Sequence, residues 1–347
     1  MLSPWDERCR IMLMSRFVFL PGFYFFFWCT TTFGNEQTLI AFGSCLKQRH
    51  PMQILSAIKR LSPDLMLMMG DNVYGALEAS GMQSLARAYG RQRKNFEAIG
   101  WEIPTEAIWD DGDFGINDGG ADHQLKEEAK RLFLEFWKVD QSDRRANSRG
   151  LFHEKLLKTN NGLVQILFLD TRYFKSPWLR NDANDPIKRY LPDKAAKTML
   201  GEEQWKWLAQ SLLKPAKIRI LISPIQMLAS GHFWECWAMF PNERLRLMKL
   251  LDFLNIRNLI ILSGDRHRAA FYRDETPGGI ELLECTSSSL NAPASDRYEP
   301  GPKRLTELYV KQNFGFLTID WPRKLIVIEI RDLNGKVVQK QELRNIL

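Results

Sequence analysis

The sequence predicts an α/β fold in which a parallel or mixed sheet is covered by helices. Two observations carry the prediction: strand-sized apolar runs alternate with stretches of helical spacing, and the runs are continuously hydrophobic, as strands buried on both faces are. A third concerns function. The runs end in Asp, Gly, Cys and His, on the sheet edge where open α/β folds bind ligands.

The first strand is expected over residues 38–42 (TLIAF), ending at Gly43-Ser44-Cys45. Helical spacing over 52–61 leads to a strand over 64–69 (DLMLMM) that ends at Gly70-Asp71-Asn72. A helix over 83–96 precedes the short run AIW, which stops at Asp110-Asp111. After a helix over 125–139, the strand 164–169 (VQILFL) delivers Asp170-Thr171-Arg172. Helices over 202–213 and 242–254 flank the strand 218–222 (IRILI). The strand 258–262 (NLIIL) then ends at Ser263-Gly264-Asp265-Arg266-His267. The tail reads as antiparallel strands over 279–285, 314–320, 325–331 and 336–343, with Asn334-Gly335 as a two-residue hairpin signal. Residues 176–192 and 290–302, rich in Pro, Asn, Asp and Ser, are expected to be long loops near the strand ends.

Composition excludes several classes. With 45% hydrophobic and 26% charged residues, the 347-residue chain is neither disordered, collagen-like, coiled-coil nor polytopic. A net charge of +7 suits anionic substrates or surfaces, but without a block of like charges there is no nucleic-acid-binding tail. The run FVFLPGFYFFFW at residues 17–28, after Arg16, falls short of the about 20 apolar residues that span a bilayer. It reads as part of a secretory signal peptide over residues 1–34, with a membrane tether as the alternative. That leaves 35–347 as a single, secreted or periplasmic domain. Cys9 and Cys29 fall in the leader, and Cys45, Cys236 and Cys285 cannot all pair.

If Asp71, Asp110, Asp111 and Asp265 converge, their mutual repulsion pushes protons back on unless cations neutralise them. Together with His267, and with a thiolate and a phenolate, such a set fits transition metals or a mixed site with calcium.

The motifs FGSC (42–45), GDNVYG (70–75), WDDGDFGINDGG (109–120), LDTR (169–172) and SGDRH (263–267) resemble those of the PhoD-type phosphatases, within the calcineurin-like metallophosphoesterases. The stretches GEEQWKWL, SPIQML, ECWAMFPNER, TSSSLN and NFGFLTID follow in family order, so the resemblance covers residues 38–335. It implies a four-layer α/β/β/α sandwich with mixed sheets. It also implies hydrolysis of phosphomonoesters or phosphodiesters by a metal-activated water, with two or more metal ions. Iron with calcium is the implied pairing, with zinc or manganese as alternatives. By position, Cys45, Asp71, Tyr74 and His267 resemble metal ligands, Asp71 bridging. Asp111 stands where the superfamily has an Asn ligand, and Asp110 and Asp265 are further candidates. Arg172 and Arg266 are candidates for gripping phosphate or for holding a carboxylate in place.

One departure matters. The family usually reads WDDHDYG where this chain has Gly112 in place of the His, a residue thought to act as general acid or to stabilise the phosphoryl transition state. Asp113 or His123 could supply the proton, or the substrate could carry a good leaving group. Retained but altered hydrolysis is the expectation; an inactive phosphoester-binding protein is the alternative. The tryptophans at 205, 207, 234 and 237 are expected in the core.

Overall fold

A computed structural model describes residues 36–344 apart from 78, 80, 182–188 and 295–298; the leader expected over 1–34 lies outside the described residues. The chain runs through β1 (Gln37–Gly43), α1 (Gln53–Arg60), β2 (Leu65–Met69), α2 (Gln83–Ala98), β3 (Thr105–Ile108), the one-turn α3 (Asp111–Phe114) and α4 (Lys126–Phe136). Next come α5 (Arg144–Asn147), β4 (His153–Thr159), β5 (Gly162–Phe168), a short ribbon of β6 (Leu179–Arg180) and β7 (Tyr190–Leu191), α6 (Gly201–Leu212), β8 (Ile218–Ser223), α7 (Pro241–Phe253) and β9 (Leu259–Ser263). The tail adds β10 (Ala269–Glu275), β11 (Glu281–Ser287), β12 (Asn313–Asp320), β13 (Leu325–Asp332) and β14 (Val337–Arg344).

Two six-stranded sheets form, ordered β14-β13-β12-β1-β2-β3 and β10-β11-β9-β8-β5-β4. Both are mixed. In the first, β1, β2 and β3 are parallel and β12 returns antiparallel to β1. In the second, β5, β8, β9 and β11 are parallel, flanked by antiparallel β4 and β10.

Side-chain alternation explains the layering. Val164, Ile166 and Phe168 of β5, with Ile220 and Ile222 of β8, point into a core shared with the first sheet, which includes Ile40, Phe42 and Leu67. The intervening Leu167, Leu221 and Ile261 point the other way, onto Trp205 and Leu208 of α6 and Leu247 and Leu251 of α7. The central strands β5, β8 and β9 are therefore apolar on both faces, which is why their sequences show no alternation. Ile54 and Ile58 of α1 and Leu85 and Tyr89 of α2 belong to the first core. The result is the expected α/β/β/α sandwich.

The run-based reading misses β4 and β10, which are the two edge strands of the second sheet. An edge strand has one unpaired flank, and β4 (HEKLLKT) is largely half-buried or exposed, so it lacks the continuous apolar run of a central strand. Trp205 and Trp237 are buried as expected. Trp234 departs from that expectation: it lies 5.4 and 5.5 Å below the guanidinium groups of Arg189 and Arg266. Cys45, Cys236 and Cys285 are all buried and unpaired.

Candidate metal centre

The strand ends meet as the βα pattern requires. Cys45 follows β1, Asp71 follows β2, Asp110 and Asp111 follow β3, and Asp265 and His267 follow β9. The backbone is bent to achieve this. Nine non-glycine residues among those described have positive φ, and five of them are Cys45, Asp71, Asp118, Asp265 and His267. Such conformations cost of order 1–3 kcal/mol each and persist where surrounding structure imposes them, so their concentration here marks a built site. Gly70 has φ +107°, and a Cβ there would lie 2.5 Å from that of Asp110. Glycine at 70 is what lets the ends of β2 and β3 approach.

Three groups of side chains each place ligand atoms within 4.8 Å of one another: Cys45 with Asp71 and His267, Asp71 with Asp110 and Asp111, and Asp111 with Asp118 and Glu235. Asp71 and Asp111 are shared, so the groups form one continuous array. Tyr74 closes the first group, its hydroxyl donating to Asp71 Oδ2 at 2.8 Å and lying 3.4 Å from His267 Nε2. The Cys45 Sγ lies 3.2 Å from Ser288 Oγ and 3.5 Å from Asp71 Oδ2. Burial pushes the Cys45 thiol up, but His267 outweighs it and lowers the thiol to about 6. The Cys45 charge in turn raises the imidazole to about 9. This end of the array thus gathers a sulfur, a phenol and an imidazole ring around the carboxyl group of Asp71.

The other end is oxygen-rich. Burial and then the charges of Asp111 and Cys45 push Asp71 well above the usual carboxylate range. Burial raises Asp110 as well, against the pull of Arg172. Burial and Glu235 lift Asp118 to about 7, and burial and Glu235 also raise Asp265. Protein cations offset only part of this charge. Asp110 Oδ2 is buried with no hydrogen-bond partner. The donor set and the orphaned oxygen fit metal ions, with sulfur, phenol and imidazole donors at one end and carboxylates at the other.

Arg172 and Asp113 are both engaged by neighbouring protein groups. Arg172 is fully buried and grips both oxygens of Glu235 at 2.7 and 2.8 Å while its Nε donates to Asp110. It therefore holds carboxylates rather than substrate. Arg266 is 8% exposed and reaches Glu299 at 3.6 Å, under Trp234. Asp113, expected as a candidate proton donor, is turned inward. Its oxygens accept from the backbone N–H groups of Asn72 and Asp110, the Asn72 amide and the Tyr89 hydroxyl, so it caps α3 from inside the core. His123 is buried with its ring 4.9 Å from that of Phe114, and it lines a cavity together with Asp118 of the array. Asp265 contributes charge, but no ligand atom to the three groups.

Gly112 is not an empty slot for a histidine. Its N–H donates to Asp71 Oδ1 at 2.8 Å. A Cβ at 112 would stand 2.6 Å from Val73 O and 2.7 Å from that same carboxylate oxygen.

Asp118 and Glu235 escaped the strand-end reading because both come from loops beyond short elements. Their signals were the GIND and ECWAMF stretches, which carried the family resemblance without marking a role. Asp118 is held by Arg189 at 2.6 Å and by the Tyr190 hydroxyl.

Comparison with known proteins follows the same lines. Residues 102–318 match the family model described as PhoD-like phosphatase. A 119-residue stretch, 31% of this chain, is 28% identical to alkaline phosphatase D of Bacillus subtilis (strain 168), but spans only 20% of that protein. Among solved structures, one described as PhoD superposes with a TM-score of 0.65 at 16% identity, covering 90% of this chain and 69% of its own. A purple acid phosphatase from yellow lupin (Lupinus luteus) seeds gives 0.58 at 12% identity, covering 89% of this chain and 54% of its own. These structural likenesses speak for the fold.

Proposed function

The chain belongs to the PhoD-like phosphatase family, and from that premise we propose that it hydrolyses phosphate esters with a water molecule activated by metal ions. The observation that carries this reading is the shared-carboxylate array, in which Asp71 and Asp111 link three ligand groups. Metal ions held there would lower the pKa of a bound water and offset charge on the phosphoryl oxygens.

The residues then divide the work. Cys45, Tyr74 and His267 face one side of Asp71, and Asp110, Asp111, Asp118 and Glu235 face the other. Arg172 fixes Asp110 and Glu235 through a bidentate fork, which sets their spacing and keeps part of the charge compensated. Ser288 supports the same side twice: its Oγ lies 3.2 Å from Cys45 Sγ and accepts from the His267 N–H at 2.8 Å. A cavity of about 250 Å³ lined by Tyr74, Asp111, Gly112 and Asn117 gives a phosphoryl group access to the array.

With Gly112 in place of the histidine, and with Asp113 turned into the core, the favoured substrates are those whose leaving oxygen departs without a protein proton donor. Activity on aryl phosphates should therefore exceed that on alkyl phosphates by about 10² or more, the usual worth of a general acid. The apolar run at residues 17–28 supports export as part of this reading, and no helix among the described residues is long and apolar enough to cross a membrane.

The test is a hydrolysis assay on mono- and diester nitrophenyl phosphates, with iron, calcium, zinc or manganese supplied and with chelator as control. Metal-dependent release of nitrophenol supports the reading. A well-folded protein that binds phosphate esters but turns over none of them would instead support the inactive, ester-binding alternative that Gly112 raises.

A further inference from the structure

A second and larger groove, of about 660 Å³, also reaches Tyr74 and is lined by Gln48, Arg49, Ser84, Arg87, Arg91, Lys94 and their neighbours. Tyr74 is the one residue it shares with the cavity that reaches Asp111. The groove's charge is of one sign. Four of its lining residues are cations and none is a carboxylate among the described residues. Three of them recur at helical spacing on one face of α2, at 87, 91 and 94, and all four are exposed. Lys47, over the Tyr74 ring at 5.1 Å, extends the stripe toward the array.

We propose that this groove binds the phosphate chain of an oligophosphate, so that the substrate class includes phosphoanhydrides. The inference rests on the phosphoesterase reading above and deepens it. Two independent features lead to it. A strip of like charge beside a hydrolytic site holds anions that accompany the scissile group, and it steers them there. Apart from Tyr74 the lining carries no aromatic side chain among the described residues, so these residues offer no platform for stacking bases and suit a bare phosphate chain rather than a nucleic acid. A phosphate leaving group also needs no protein proton donor, which matches the absence of an acid at Gly112.

In the reaction the water oxygen bonds to the terminal phosphorus. The bond from that phosphorus to the bridging oxygen breaks, and its electron pair stays on the departing chain. One proton of water remains on the released phosphate or passes to solvent; the other follows the same route, and no oxidant or further reactant is needed.

The test uses the full metal-loaded chain and R49E/K94E, with tripolyphosphate kept under excess magnesium so that it does not strip the site. Phosphate release from tripolyphosphate is compared with nitrophenol release from p-nitrophenyl phosphate, and tripolyphosphate binding is measured directly by calorimetry. Two reversed charges should lower the tripolyphosphate-to-nitrophenyl ratio of kcat/KM about tenfold or more at low salt, and weaken tripolyphosphate binding by a similar factor. K158E/K249E, at exposed positions of β4 and α7, makes the same change in net charge away from the groove and should leave the ratio unchanged. R91A provides a second groove variant if the double substitution misfolds. An unchanged ratio together with unchanged binding overturns the proposal. If the protein hydrolyses no phosphoester at all, the phosphoesterase reading fails, while the binding arm still decides whether the groove holds a phosphate chain. Tighter binding of an oligothymidylate than of tripolyphosphate at equal charge would overturn the assignment to a bare chain.

Discussion

Replacing Arg172 by methionine tests how the centre is held together. The guanidinium is fully buried, between Asp110 at 1% and Glu235 at 2% side-chain exposure. Methionine keeps much of the volume and removes the charge, leaving two buried carboxylates without their counter-ion. Removing one partner of a buried pair costs about 3–5 kcal/mol, because the remaining charge stays desolvated. For a domain stabilised by roughly 5–15 kcal/mol this is a large share, equivalent to a fall in Tm of roughly 5–10 °C. The assay is guanidinium unfolding of chelator-treated protein, followed by tryptophan fluorescence, for wild type, Arg172→Met and Arg172→Lys. Lysine restores the charge without the fork and should recover part of the loss. A loss below about 1 kcal/mol for Arg172→Met, well under the buried-pair range, would refute the reasoning. It would mean that the carboxylates are neutralised by some other group.

Three further outcomes are expected. Gly112→Ala should cost about 1–3 kcal/mol by overpacking, because its Cβ would press on Val73 O and Asp71 Oδ1; thermal unfolding and kcat on nitrophenyl phosphate both read this. Restoring histidine there should therefore lower activity rather than raise it, and a large gain would show that the backbone opens to admit the side chain. Away from the centre, burial alone would raise the Glu106 carboxyl, but His153 and Lys155 outweigh it and hold it at about 2. A carboxyl depressed in the folded state contributes stability that is complete above its unfolded value near 4.5 and is lost as pH falls toward 2. The contribution is on the order of 3 kcal/mol, so Glu106→Gln should flatten the stability profile across that window, measured by urea unfolding at stepped pH. Finally, Cys236 is buried and its thiol is pushed up to about 12, so it should resist alkylation at pH 8 in the folded protein, as mass spectrometry after iodoacetamide will show.

The central strands were readable because burial on both faces writes itself as uninterrupted apolar residues, as in LMLMM of β2 and LIILS of β9. The candidate ligands Cys45, Asp71, Asp110, Asp111 and His267 were readable because the chain places each just past such a run. Other features depend on contacts that no local pattern encodes. Asp118 and Glu235 join the array through loops, and only the fold brings them within reach of Asp111. Asp113 looked like the other strand-end acids, yet α3 turns it inward as a cap. Arg172 likewise could have faced phosphate or carboxylate, and its two partners lie 62 and 63 residues away in sequence. The place of the basic α2 face beside Tyr74 likewise depends on the fold.

The claim on which all of this rests is that the shared carboxylates hold metal. Elemental analysis of the purified full chain beside Asp71→Asn measures it directly, since Asp71 belongs to two of the three ligand groups. The account predicts two or more bound metal ions in the wild type, and in the variant a loss of metal together with hydrolysis. A wild-type protein that carries no metal after supply, or an Asp71→Asn variant that keeps its full complement, would contradict it.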